Sequence, residues 1–383
     1  MLASFIFWIL QQFDFGKSSS FGLPIPDIVN ISHTFDNLLS TGGLDQEENQ
    51  FFGLTLLYGW TWLLHPALCF GVNSILMILA TKIYDNFFIK RLCLPAWSIL
   101  GVIGNPYLAL AMIGPNKEIP LLLLTLIFLK SIIEQRSMWL LTAAATSIAA
   151  FTLREGYGLF LAITLPLIIA KINGKTLAAI IFLACALISI SFGFLDSIFP
   201  TIFGRNKDVF EMLDGGVLAV GAFSNLLDLD PLTATGGGTL FIIRAIYNIL
   251  TMALFPVFKT TAGIHWLGVA YWLFGLMILV CITACIASLM TKKPLHSSVL
   301  LAAALSVGTW LMISVSLFVQ PRYLMPVFPV ATYVLACSSP RTRIISLLVP
   351  ILLTAIVILT YILLDRAPPL AEPDSFNTPA YIL

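Results

Sequence analysis

Residues 103–130 read IGNPYLALAMIGPNKEIPLLLLTLIFLK. Two apolar runs meet at a short polar corner, Gly114-Pro115-Asn116-Lys117-Glu118, where a cation and an anion stand side by side between hydrophobic walls. Gly and Pro punctuate chain direction, so the stretch reads as two helices joined by a tight connection. Each run approaches the roughly 20 apolar residues that cross a bilayer. The rest of the chain has the same texture. Of its 383 residues 59% are hydrophobic and only 10% charged, with a mean hydropathy of +0.97, whereas a soluble domain carries roughly 25% charged residues. The expected fold class is therefore all-α: a polytopic helical membrane protein, since helices satisfy their own backbone hydrogen bonds in lipid.

Apolar windows place about eleven spans, near 2–13, 66–81, 92–114, 119–135, 137–152, 156–171, 176–196, 264–290, 297–319, 323–339 and 344–364. The first, MLASFIFWILQQF, lacks the basic region of a signal peptide. It reads as a short or tilted helix, or as a chain that begins downstream of its true start. Residues 51–65, FFGLTLLYGWTWLLH, are aromatic and read as an interfacial helix. Residues 238–258 are apolar but contain Arg244 and Pro256, and read as re-entrant or interfacial. The whole chain, 1–383, reads as one integral-membrane domain with two long external loops, about 14–50 and 197–263.

Charge fixes the expected orientation, because cytoplasmic loops are rich in Lys and Arg. With 238–258 not spanning, eleven basic residues (from Lys82, Lys90 and Arg91 to Arg341 and Arg343) and two acids, Asp85 and Glu134, fall on one side. The other side receives nine basic and seventeen acidic residues. The N-terminus is then cytoplasmic and the C-terminal tail external. The six cysteines sit in apolar runs or beside a basic loop, which predicts neither a disulfide framework nor a cysteine metal site. The four histidines are scattered, without metal-ligand spacing. Walker A, zinc and Rossmann motifs are absent from the sequence, and no nucleic-acid partner is expected.

In this topology several charges converge on the external face. They are Lys117 and Glu118 at the corner, Arg154 and Glu155 in LREGYG, Arg244, and Arg322 beside Tyr323 in QPRYLMPVFP. The first external loop adds Asp27 and Asp36 among other acids. Ionisable groups at a membrane edge are retained when they are solvated, paired or functional. Arginine offers a planar fork to phosphate oxygens and lysine a point charge, so the set suits the phosphate of a lipid-linked substrate, with an acid free to serve as general base. Blander readings stand beside this one. Lys117 and Glu118 also fit a solvated turn, Arg154 and Glu155 a pair with each other, Arg322 a snorkelling side chain, and the loop acids simple solvation.

The ordered set of motifs resembles multispanning bacterial glycosyltransferases of the GT-C type and the related O-antigen, capsule and exopolysaccharide polymerases. An acidic external loop with Asp27 and Asp36 precedes the aromatic LLHPALCFGVNSILM; the Pro-Asn-Lys-Glu corner, FTLREGYG and RYLMPVFP follow, over roughly residues 20–340. The resemblance implies a polyprenyl-phosphate-linked sugar donor, a glycan or lipid acceptor, membrane lipids and assembly or chain-length proteins as partners, and transfer outside the bacterial cytoplasmic membrane. It gives Asp27 or Asp36 the base role and Lys117, Arg154 and Arg322 the phosphate contacts; the converging external residues add Glu118, Arg244 and Tyr323 to the expected substrate-binding group. It leaves divalent-metal use open. Asp14 stands alone where many such enzymes carry paired acids after the first helix. The expected function is a sugar transferase or repeat-unit polymerase, with a lipid-linked oligosaccharide flippase or other polytopic transporter as the alternative and a non-catalytic assembly scaffold as a third reading.

Overall fold

Helix breakers decide where this chain departs from a string of uninterrupted spans. The computed structural model describes residues 34, 37, 40, 52–64, 68–112, 114–190, 245, 259–260, 263–264, 266–292, 295–315 and 321–363. Among them the regular structure is helical apart from one antiparallel pair of two-residue strands, β1 (Lys259–Thr260) and β2 (Gly263–Ile264). Among the described residues three helices are long and apolar enough to cross a membrane: Leu68–Arg91, Leu273–Met290 and Ser297–Val315. The expected segments at 2–13 and 238–258, and most of both long loops, lie outside the described residues.

The described residues fall into two compact units, the first running to Lys171 with Met325–Val330 added, the second from Ile172 to Leu324 and from Ala331 onward. The elements of the first unit with described bounds begin with α1 (Phe52–Leu64) and α2 (Leu68–Ile83), the latter continuing through a π-helix, Tyr84–Arg91. α1 buries Leu54, Tyr58 and Thr61 while exposing Leu56 and Trp60. The expected span 92–114 is broken: a 3-10 turn at Ala96–Ile99 leads into α3 (Leu100–Ile103), followed by α4 (Leu108–Ala111). The cause is local. Gly104 has no side chain, the Asn105 side-chain oxygen takes the Tyr107 N–H at 2.8 Å, and Pro106 has no N–H to give.

After the corner come α5 (Glu118–Glu134), α6 (Trp139–Leu153) and α7 (Glu155–Ile169). α6 packs against both α5 and α7, and α2 packs along α5. At 1.5 Å per residue, the 15 residues of α6 and of α7 are each about 22 Å long, short of a hydrocarbon core of roughly 30 Å. Glycine permits the closest approaches. A Cβ on Gly158 would stand 2.1 Å from the Phe151 backbone nitrogen, and one on Gly53 would stand 2.3 Å from the Thr152 carbonyl oxygen.

The second unit contains α8 (Gly174–Ile190), α9 (Trp266–Met290), α10 (Ser297–Val315), most of α11 (Phe328–Cys337) and α12 (Pro340–Leu363). α10 is its core helix, and every residue from Ala302 to Leu311 is buried. An apolar helix buried on all sides must hide its hydroxyls. Here Ser306, Thr309 and Ser314 donate to their own backbone at Ala302, Leu305 and Trp310, at 2.8–2.9 Å. The expected span at 323–339 begins instead with a 3-10 segment, Pro321–Val327, before α11. Pro321 and Pro326 bracket that segment and remove two backbone donors.

Candidate functional site: the ion-paired corner of the first unit

Pro115 creates the problem that the corner has to solve. A continuing helix would satisfy the Ala111 carbonyl with the N–H of residue 115, and proline has none. The Asn73 side chain, on α2 and fully buried, supplies the missing donor. Its Nδ2 lies 3.3 Å from the Ala111 oxygen, 3.2 Å from that of Met112 and 2.8 Å from that of Gly114. Its Oδ1 accepts from the Tyr58 hydroxyl at 2.5 Å, and the same hydroxyl lies 3.3 Å from the Asn116 carbonyl. Burial, with a smaller contribution from the Cys69 thiol, raises the Tyr58 phenol well above its usual pKa. It therefore stays a neutral donor at neutral pH. In an apolar surrounding each orphaned carbonyl would be expensive, so α1 and α2 hold the corner through one amide and one phenol.

Asn116 then starts the next helix. Its side-chain oxygen accepts the N–H of Glu118 at 2.7 Å and of Ile119 at 3.4 Å, a side-chain cap on α5. Glu118 sits in the first turn, where the helix dipole favours an anion. Its carboxylate pairs with Arg154: the arginine Nη2 donates to Oε1 at 3.0 Å. The Glu118 side chain is 4% exposed and that of Arg154 25%. This overturns the solvated-turn reading for Glu118. It also redirects Arg154, whose anion is Glu118, 36 residues away, while the adjacent Glu155 is exposed.

Arg154 is the single extended residue between α6 and α7 (φ −152°, ψ 100°), its N–H on Ala150 and its carbonyl taken by Gly158. Two residues beyond Glu155, Tyr157 ties α7 to α5 through its hydroxyl, 2.7 Å from the Thr125 hydroxyl. Lys117, half-buried, precedes Glu118 directly. The structure thus brings together Lys117, Glu118 and Arg154, and adds Tyr58, Asn73 and Asn116, which the sequence reading did not single out. A lone Asn in the apolar run CFGVNSILM was the available signal for Asn73.

A second group of charges lies at the far end of α5, about 24 Å away along its axis. There Arg91 pairs with Glu134, Arg136 Nε stands 3.7 Å from the same carboxylate, and Lys90 pairs with Asp85 at 2.5 Å. Asn73 near the start of α2 meets the corner that precedes α5, and Arg91, at the end of the π-helix that continues α2, meets Glu134 at the end of α5, so the two run in the same direction.

In the second unit, Arg322 is half-buried in its 3-10 segment, the guanidinium carbon 5.4 Å from the centre of the Tyr323 ring, a cation–π contact. Asp27, Asp36 and Arg244 lie outside the described residues. Among the described residues no three His, Cys, Asp or Glu side chains gather as a metal site, and the described cysteines are free thiols. No family model matches this chain, and neither a curated protein nor a solved structure matches it.

Proposed function

We propose that the protein is an integral-membrane glycosyltransferase of surface-polysaccharide assembly, spanning the bacterial cytoplasmic membrane about eleven times. Its donor is a polyprenyl-phosphate or polyprenyl-pyrophosphate sugar, held with the corner end of the first unit facing outward. The observation that carries this reading is the corner itself: Lys117 and Arg154 share one helix-α5 terminus, with Arg154 held by a buried carboxylate. Fixed cations at a membrane edge suit a phosphate headgroup whose chain lies along the apolar helices.

In the reaction an acceptor hydroxyl oxygen bonds to the anomeric carbon as the bond from that carbon to the phosphate oxygen breaks. The phosphate leaves with the electron pair, and Asp27 or Asp36 takes the hydroxyl proton. Lys117 and Arg154 stabilise the charge that grows on the leaving phosphate. Arg322, carried with Tyr323 on the second unit, is a separate phosphate-contact candidate, as is Arg244.

The test is a surface-glycan ladder from the native host with this gene deleted, complemented by wild type, Arg154→Ala, Arg154→Lys or Arg322→Ala, with membrane levels checked by blot. Long chains collapsing to a single repeat, unrescued by Arg154→Ala at normal protein level, support a polymerase. Full-length chains of altered mobility support a side-branch transferase. Wild-type ladders from both alanine variants would overturn the phosphate assignments. One observation favours a flippase instead: the interrupted helices between Ala96 and Ala111, since carriers use broken helices. Loss of all surface glycan, with lipid-linked units retained inside the cell, would select that reading.

A further inference from the structure

We infer that Glu118 is a positioning residue, aiming Arg154 at the ligand without touching the ligand itself; this rests on the phosphate-site reading above. The first argument is depth. Of the two partners the carboxylate is 4% exposed and the guanidinium 25%, so the cation is the half of the pair that reaches the surface. An anionic ligand would be repelled by a carboxylate it had to meet. Lying deeper than the guanidinium, Glu118 fixes the cation without presenting its own charge.

The second argument is that both backbones are already fixed. Asn116 holds the Glu118 N–H at 2.7 Å, and Asn73 anchors the carbonyls just before it. Arg154 is fixed by Ala150 and Gly158 on either side. What remains undetermined is the long arginine side chain, which in isolation samples many rotamers. The 3.0 Å contact between Nη2 and Glu118 selects among them before any ligand arrives, and ordering a side chain in advance lowers what binding must later supply.

The test uses the purified full-length protein in detergent, titrated with geranyl phosphate as the probe, with thermal melting recorded on the same samples. Arg154→Ala is expected to weaken binding about tenfold or more, the usual consequence of losing a charged hydrogen bond. Glu118→Gln keeps the shape and removes the charge, and is expected to weaken binding several-fold. In the Arg154→Ala background Glu118→Gln should add nothing further, because a residue acting only through Arg154 has no effect once Arg154 is gone. If Glu118→Gln does not fold, Glu118→Asp is expected to shift binding in the same direction. Additive losses would mean that Glu118 meets the ligand on its own account, and unchanged or tighter binding by Glu118→Gln would mean that it positions nothing; either overturns this inference alone. Absence of geranyl phosphate binding in wild type, or wild-type affinity in Arg154→Ala, overturns the phosphate-site reading beneath it.

Discussion

At the residue scale, Asn73 does more for the corner than any charged group. Its amide answers three carbonyls that Pro115 and the end of α4 leave without helical partners. Replacing it with leucine keeps the branched shape and removes the donor, leaving buried acceptors in an apolar environment. The expected loss is about 1–3 kcal/mol, read as a lower melting temperature in detergent. Tyr58→Phe removes one hydroxyl yet leaves the Asn73 donor in place, so its loss should be smaller, about 0.5–1.5 kcal/mol. A Tyr58→Phe variant less stable than Asn73→Leu would show that the phenol, not the amide, holds the corner.

At the scale of the elements, two glycines separated by one residue make opposite demands. Gly158 lies where α7 crosses α6, and a methyl there would run into the backbone of Phe151 at 2.1 Å. Gly156, in the first turn of α7, has nothing within 4 Å of the place its Cβ would take. Gly158→Ala should therefore force the two helices apart and reduce folded protein in the membrane. Gly156→Ala should be neutral or stabilising, by up to about 1 kcal/mol from helix propensity. Equal effects of the two substitutions, measured as membrane level and melting temperature, would contradict the close α6–α7 crossing. Gly174 makes the same demand in the second unit, where its Cβ would meet the Leu300 carbonyl carbon at 2.4 Å.

At the scale of the whole molecule, the distribution of charge predicts sidedness. The positive-inside rule predicts that the end of the first unit with Arg91, Glu134 and Arg136 faces the cytoplasm, and the corner on that prediction faces outward. Cys93, exposed and close to Lys90, reports on the first end, and a Lys117→Cys variant reports on the second. In intact cells a membrane-impermeant maleimide should label position 117 and spare Cys93, and permeabilised cells should label both. The reverse pattern would invert the topology and place the corner in the cytoplasm.

The apolar composition and the spacing of its runs determined helices and their approximate ends. The boundaries of α5, α6, α7, α9 and α10 follow from where hydrophobic stretches meet polar or helix-breaking residues: Gly114-Pro115, Gln135-Arg136, Arg154-Glu155 and Pro294. The order of residues also sets Lys117 beside Glu118 and Arg154 beside Glu155. That order could not choose their partners, because an ion pair across 36 residues depends on which helices lie side by side. Nor could run length reveal that 92–114 is broken: hydropathy averages over a window, whereas the break arises from Gly104, the Asn105 side chain and Pro106 acting one residue at a time. Only the tertiary structure decided that Asn73 and Tyr58 meet the corner, since a buried carbonyl deprived of its helical donor takes whichever polar group the packing brings within reach.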